Sequence, residues 1–143
     1  MKTGKLLAVA AGLLVLIVLP GGCSGGDGNN SDNQTIKDVS MEEAFALMED
    51  NLGKEDFVIV DLRPAEDYAR GHIQRAINID YQSADFAERL AELDRECVYL
   101  LYSQKDEVSG EVLDMMAELD FSHVYNMLGG MERWERVGMP QVR

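Results

Sequence analysis

Phe57-Val58-Ile59-Val60 runs without a polar residue and stops at Asp61. An unbroken β-branched and aromatic run, rather than an alternating one, suits a strand covered on both faces, as in the middle of a parallel sheet. Working outward from it, Ile36–Val39, Ala76–Ile79, Cys97–Tyr102 (CVYLLY) and His123–Asn126 read as further strands. Helical patterns separate them. Ser40 stands three residues before Glu43, the spacing of a capping box, and Phe45, Met48 and Leu52 offer an apolar side to the helix that follows. Within 83–93, Phe86, Leu90 and Leu93 recur at i, i+4 and i+7. Val108, Val112, Met115, Met116 and Leu119 make the clearest stripe, and a last helix around Met131–Val137 follows Gly129-Gly130. Strands alternating with helices predict an open α/β sheet with helices on both faces. No internal repeat is visible.

The N-terminal end is of another kind. Lys2 and Lys5 precede an apolar run, Leu6–Leu19, of 14 residues, and Pro20, Gly21, Gly22 and Cys23 follow. Fourteen residues are too few to span a bilayer comfortably, and a basic start followed by a short apolar run is the pattern of a secretory signal. The segment resembles a bacterial lipoprotein signal, in which cleavage falls before a lipid-modified cysteine; Pro20 stands where that pattern prefers leucine. The resemblance implies a signal peptide over 1–22 and diacylglyceryl or palmitate modification at Cys23. Two or more acyl chains anchor stably where one does not. Ser24 resembles the neutral residue that accompanies outer-membrane sorting, so the expected location is the cell envelope, facing the periplasm of the outer membrane in a diderm source. An uncleaved anchor and an ordinary signal peptide remain as alternatives. Ser24–Asn33 (SGGDGNNSDN) holds no apolar residue and reads as flexible linker. About ten such residues reach roughly 15–20 Å. The domain boundaries are therefore 1–22 for the signal, 23–34 for lipidated cysteine and linker, and 35–143 for one globular domain.

Charge narrows the partners. Of 13 basic residues two lie in the leader, while all 26 acidic ones lie beyond it, so the processed chain stands near −15. Such a surface repels phosphate backbones, and no nucleic-acid partner is expected. Two histidines, His72 and His123, with no Cys/His cluster give no support to a metal site, and no cofactor signature is present. Cys23 and Cys97 permit a disulfide, but lipid processing would occupy the Cys23 sulfur, so Cys97 is expected as a partly buried, inert thiol.

Ordered fragments then carry a resemblance across nearly the whole domain, from about Ile36 to Val142. Asp61-Leu62-Arg63 with the turn Glu66-Asp67-Tyr68, Gly71-His72-Ile73 with Ala76-Ile77-Asn78-Ile79, and Leu128-Gly129-Gly130 with Trp134, Gly138 and Pro140 resemble the rhodanese family. The resemblance implies a rhodanese-like open parallel sheet. Each of these residues also has a structural reading. His72 is expected to be a satisfied imidazole, Gly129 and Gly130 to serve a tight turn, Trp134 to fill the core, and Asp61 and Arg63 to pair or orient loops.

In that family a strand delivers a cysteine into a loop leading straight into a helix, commonly Cys-x-x-Gly-x-Arg-Ser. Inward-pointing amides stabilise an anion there and lower the thiol pKa, and the thiolate carries sulfane sulfur. The corresponding loop here is Ser103-Gln104-Lys105-Asp106-Glu107-Val108-Ser109. Ser103 falls at the nucleophile, Asp106 at the glycine and Val108 at the arginine. A serine hydroxyl forms no persulfide, and Asp106 and Glu107 are placed to cap the following helix. Cys97 lies at the far end of the same strand, roughly 20 Å away at about 3.3 Å per residue. The expected function is a membrane-anchored, non-catalytic module that binds a protein or an anion. The alternative is a sulfurtransferase or sulfur carrier using Cys97 or a partner's cysteine. A cysteine phosphatase or arsenate reductase would need the same missing residues.

Overall fold

The computed structural model describes residues 34–143, and the leader, Cys23 and the linker to Asn33 lie outside them. Strand β1 (Thr35–Val39) leads into helix α1 (Met41–Asp50), and β2 (Phe57–Asp61) into a short α2 (Ala65–Arg70). Then come β3 (Ala76–Asn78), α3 (Phe86–Ala91), β4 (Val98–Tyr102), α4 (Glu107–Glu118), β5 (His123–Met127) and α5 (Gly130–Arg136). The strands form one sheet in the order β1-β5-β4-β2-β3, and every pairing is parallel.

The unbroken apolar runs explain the order. β2 and β4 lie centrally, and both faces of each are covered. Val60, Tyr99 and Leu101 join Phe86, Leu90, Val112, Met116 and Phe121 in one core, under α3 and α4. Ile59, Leu100 and Tyr102 join Ala44, Met127, Met131 and Trp134 in the other, under α1 and α5. The expected open sheet with helices on both faces is what forms. Among the described residues, no helix is long and apolar enough to cross a membrane.

Ser40 Oγ accepts from the Glu43 amide at 3.2 Å, and the Ser40 amide donates to Glu43 Oε2 at 2.8 Å, completing the capping box. These bonds to Ser40 hold the Glu43 carboxyl below its ordinary range. The apolar face of α1 differs from expectation. Met41 and Ala44 are buried, whereas Phe45 is 39% exposed and Leu52, beyond the helix, 76% exposed. Ala44 makes the contact with the core, and Phe45 lines an open apolar pocket with Met48, Leu52 and Trp134. The helix expected over 83–93 is shorter, Phe86–Ala91, though Phe86 and Leu90 are buried as its spacing requires. The turn expected at Glu66-Asp67-Tyr68 is a full turn and more of helix, α2, whose own residues are not buried.

Candidate functional site

In an open parallel sheet the chain leaves a crevice where successive connections depart in opposite directions. After β2 the chain moves to β3 on one side; after β4 it moves to β5 on the other. Asp61 and Tyr102, the last residues of β2 and β4, are register partners, so the loops that follow them meet at that switch point.

The β2 side of this point is a buried polar network. Asp61 is fully buried and Arg63 is 5% exposed. Asp61 Oδ1 accepts from the Arg63 amide (2.9 Å) and Nε (3.0 Å), and Oδ2 from the guanidinium (2.7 Å) and the Tyr102 hydroxyl (2.7 Å). The guanidinium also donates to the Gly71 carbonyl at 2.7 Å. Tyr102 in turn accepts from the Ile73 amide at 3.2 Å, and Asn78 Nδ2 donates to the carbonyls of Asp61 (2.9 Å) and Arg63 (2.8 Å). Burial opposes the Arg63 charge, yet the bonds to and charge of Asp61 outweigh it and raise its pKa. Burial, and then the Asp61 charge, push the Tyr102 phenol far up, so it stays a donor. The expectation that Asp61 and Arg63 pair is met. Tyr102 and Asn78 are network members that patterning left as a strand residue and a motif residue; a tyrosine closing the apolar run VYLLY was the available signal.

On the β4 side, Ser103 is buried, 4% exposed. Its hydroxyl donates to the Lys105 carbonyl and lies 3.3 Å from Ser109 Oγ. Ser109, fully buried, stands 3.4 Å from the same Lys105 oxygen and 3.3 Å from that of Asp106. An acceptor, not an amide donor, therefore faces the Ser103 side chain. The loop's own carbonyls are taken by α5: the Met131 amide donates to Ser103 O at 2.9 Å and the Glu132 amide to Gln104 O at 3.1 Å. Gly129 and Gly130 have φ of 86° and 52°, and a Cβ on Gly130 would run into the Ser103 carbonyl oxygen, so Gly130 permits this close approach, while Gly129 serves the left-handed turn before α5.

One expectation fails here. Asp106 does not cap α4 with its side chain. Its backbone is in the right-handed helical region (φ −96°, ψ −21°) rather than the extended one a capping residue needs. Its carboxylate instead reaches across the loop and accepts from the Gly129 amide at 2.5 Å. Glu107 and Val108 begin the helix, with Glu107 exposed.

The other residues singled out by sequence lie apart from the loop. His72 Nδ1 is 3.0 Å from the Tyr68 carbonyl, its ring stacks on Tyr68 at 3.8 Å, and its backbone pairs with Val142. Trp134 is buried, and its indole donates to the Pro140 carbonyl at 3.0 Å. Cys97, 3% exposed, precedes β4 at the edge opposite the loop. It is not the free thiol expected but disulfide-bonded, and the only other cysteine lies outside the described residues. Among the described residues no group of His, Cys, Asp and Glu is placed to hold a metal.

A parallel α/β sheet with a strand-loop-helix at its switch point defines the class, and comparison with known proteins specifies it. Residues 44–137 match the rhodanese-like domain model, and the chain belongs to that family. It is 31% identical over 99 residues to the thiosulfate sulfurtransferase GlpE of Coxiella burnetii, covering 69% of this chain and 87% of that one. The protein of the same name from Actinobacillus pleuropneumoniae is 28% identical over 108 residues, covering 76% and 94%. Among solved structures, a rhodanese-related protein from Thermoplasma volcanium superposes with a TM-score of 0.60 at 20% identity, covering 74% of this chain and 97% of that one. A protein from Lactobacillus plantarum gives 0.60 at 24%, covering 73% and 87%. These two likenesses concern the fold.

Proposed function

We propose that this protein is a membrane-tethered rhodanese-like module that works by binding rather than by sulfur transfer. One observation carries the reading: the hydroxyl of Ser103, the residue to which the family resemblance assigns the nucleophile position, is turned onto a backbone carbonyl. The curated relatives bear the name thiosulfate sulfurtransferase. In that chemistry a thiolate attacks sulfane sulfur, which a hydroxyl cannot replace, and the attacking anion needs donors around it. Here a carbonyl oxygen occupies that direction, and Asp106 holds the Gly129 amide. This favours the protein-binding form of the module over the anion-binding one.

The tether is Cys23, lipid-modified after removal of residues 1–22, with the polar linker giving the domain its reach from the envelope membrane. The Cys23 sulfur can carry a thioether-linked lipid or a disulfide to Cys97, not both. Intact mass of the processed protein, before and after reduction, decides between them.

The competing sulfur-carrier reading would route chemistry through Cys97, whose side chain is buried, 3% exposed, and lies at the edge of the sheet opposite the loop. Thiosulfate-dependent sulfur transfer to cyanide, measured on the detergent-solubilised full chain and on Cys97→Ser, is the test. No transfer by either protein is expected. Transfer that disappears in Cys97→Ser would establish the sulfur carrier and reject the binding module.

A further inference from the structure

An apolar cavity lies at the other end of the sheet from the crevice. It holds about 270 Å³ between the second half of α1 and the start of β2, and Phe45, Met48, Leu52, Phe57, Trp134 and Val142 are on its walls. Among the described residues six large apolar side chains stay exposed, and three of them, Phe45, Leu52 and Val142, stand here. Scattered exposed apolar residues need no explanation, whereas apolar surface gathered around one hollow marks a place that something covers.

We propose that this cavity takes a hydrocarbon chain of the lipid carried by the protein's own Cys23. The inference rests on the lipid-tether reading and gives that lipid a second seat besides the bilayer.

The lining selects an uncharged apolar occupant. The Trp134 indole is already spent on the Pro140 carbonyl at 3.0 Å. The charged residues at the rim, Glu49 and Arg75, are both exposed and of opposite sign, and Arg75 donates to the Lys54 carbonyl at 3.2 Å. A peptide backbone or a charged headgroup would leave its own polar groups unpaired against such walls; a hydrocarbon chain has none to leave.

Position selects the source. Phe57 opens β2 and α1 ends at Asp50, so the cavity sits at the edge where the strands begin, the edge at which the described chain enters β1 at Thr35. In the order β1-β5-β4-β2, three strand spacings of about 4.8 Å separate those two starts, about 14 Å in all. Thr35 stands twelve residues after Cys23, and a chain of that length reaches at most about 40 Å. A lipid on Cys23 is therefore within reach of the cavity, whichever way the domain is turned.

Moving a hydrocarbon chain from bilayer to cavity exchanges one apolar surrounding for another. The gain comes from Phe45, Leu52 and Val142, whose apolar surface then leaves water. One chain of a diacylglyceryl group seated here leaves the other alone in the bilayer, and a single chain holds only marginally and reversibly. The cavity would thus loosen the anchor.

The test feeds cells expressing the full chain a palmitate analogue with a diazirine at its methyl end. After irradiation the purified protein is digested and its cross-links are mapped by mass spectrometry. The Cys23 lipid should be joined to the segment of the same chain that holds Met48, Leu52 and Phe57. Leu52→Glu alters a side chain already 76% exposed and should cut that adduct about tenfold by placing a charge at the mouth. Ile77→Glu, next to Ala76 and turned by strand alternation to the other face of the sheet, should leave it unchanged. Cross-links confined to bilayer lipids, or joining two chains, would overturn the proposal. So would the same cavity adduct in Cys23→Ser, because the hydrocarbon would then come from a bilayer lipid. An intact mass without lipid would remove the tether reading and this inference with it. Lipidated protein that gives no cavity adduct would sink this inference alone.

Discussion

Asp61 has no contact with water, and every proton near its carboxylate comes from Arg63 or Tyr102. A buried ion pair is not in itself strong evidence for stability, because two apolar residues can fill the same space; breaking one is another matter. Asp61→Asn keeps the shape and leaves the Arg63 charge uncompensated. We expect a loss of about 3–5 kcal/mol in urea unfolding. Ser103 poses the opposite problem, a side chain whose chemistry is set by a single neighbour. A cysteine there would face the Lys105 carbonyl, which disfavours the thiolate, so Ser103→Cys should keep its thiol pKa at or above the ordinary value of about 8.5. It should alkylate slowly with iodoacetamide at neutral pH and transfer no sulfur from thiosulfate. Rapid alkylation below pH 7, or turnover, would count against the loop geometry described above.

Elements carry their own consequences. β4 contributes Tyr99, 1% exposed, whose hydroxyl donates to the Asp94 carbonyl at 2.8 Å. Burial, and then the charge of Asp94, push its phenol up to about 12, while that hydrogen bond pulls the other way. In the unfolded chain a tyrosine titrates near about 10. The folded state therefore holds the proton longer. The contribution is complete below about pH 10 and is lost as pH rises through about 12. Denaturant midpoints should fall over that interval, and more gently in Tyr99→Phe. An identical slope in that variant would remove Tyr99 from the account. The same strand was easy to recognise in the sequence because it is apolar throughout. Helix α2 was not: Ala65–Arg70 buries none of its residues, so no apolar stripe marks it, and its place is set by contacts outside the helix. Tyr68 is held by its bond to the Ala76 carbonyl and by stacking on His72. Phe45 misled for the converse reason, since an apolar residue at helical spacing can still face outward when a smaller neighbour makes the contact.

At the scale of the molecule, parallel strands give the domain two functionally distinct ends. The described chain enters β1 at Thr35, on the edge where all strands begin, and the crevice lies on the edge where they finish. Five-residue strands separate those edges by about 17 Å at roughly 3.3 Å per residue. A tether at Cys23 would thus join the domain at the edge opposite the crevice. Cys23→Ser should shift the protein from the membrane to the soluble fraction on cell fractionation; retention in membranes would reject lipid anchoring. The amino-acid sequence by itself determined the alternation of strands and helices, the family resemblance and the serine that follows β4, because periodicity, motif order and residue identity are properties of the chain alone. Only the tertiary structure decided which way the Ser103 hydroxyl turns, that Asp106 reaches Gly129 instead of capping its own helix, and that Tyr102 joins Asp61. Those bonds link residues brought together by the pairing of β2 with β4 and the approach of α5, and no local pattern encodes a distance of that kind.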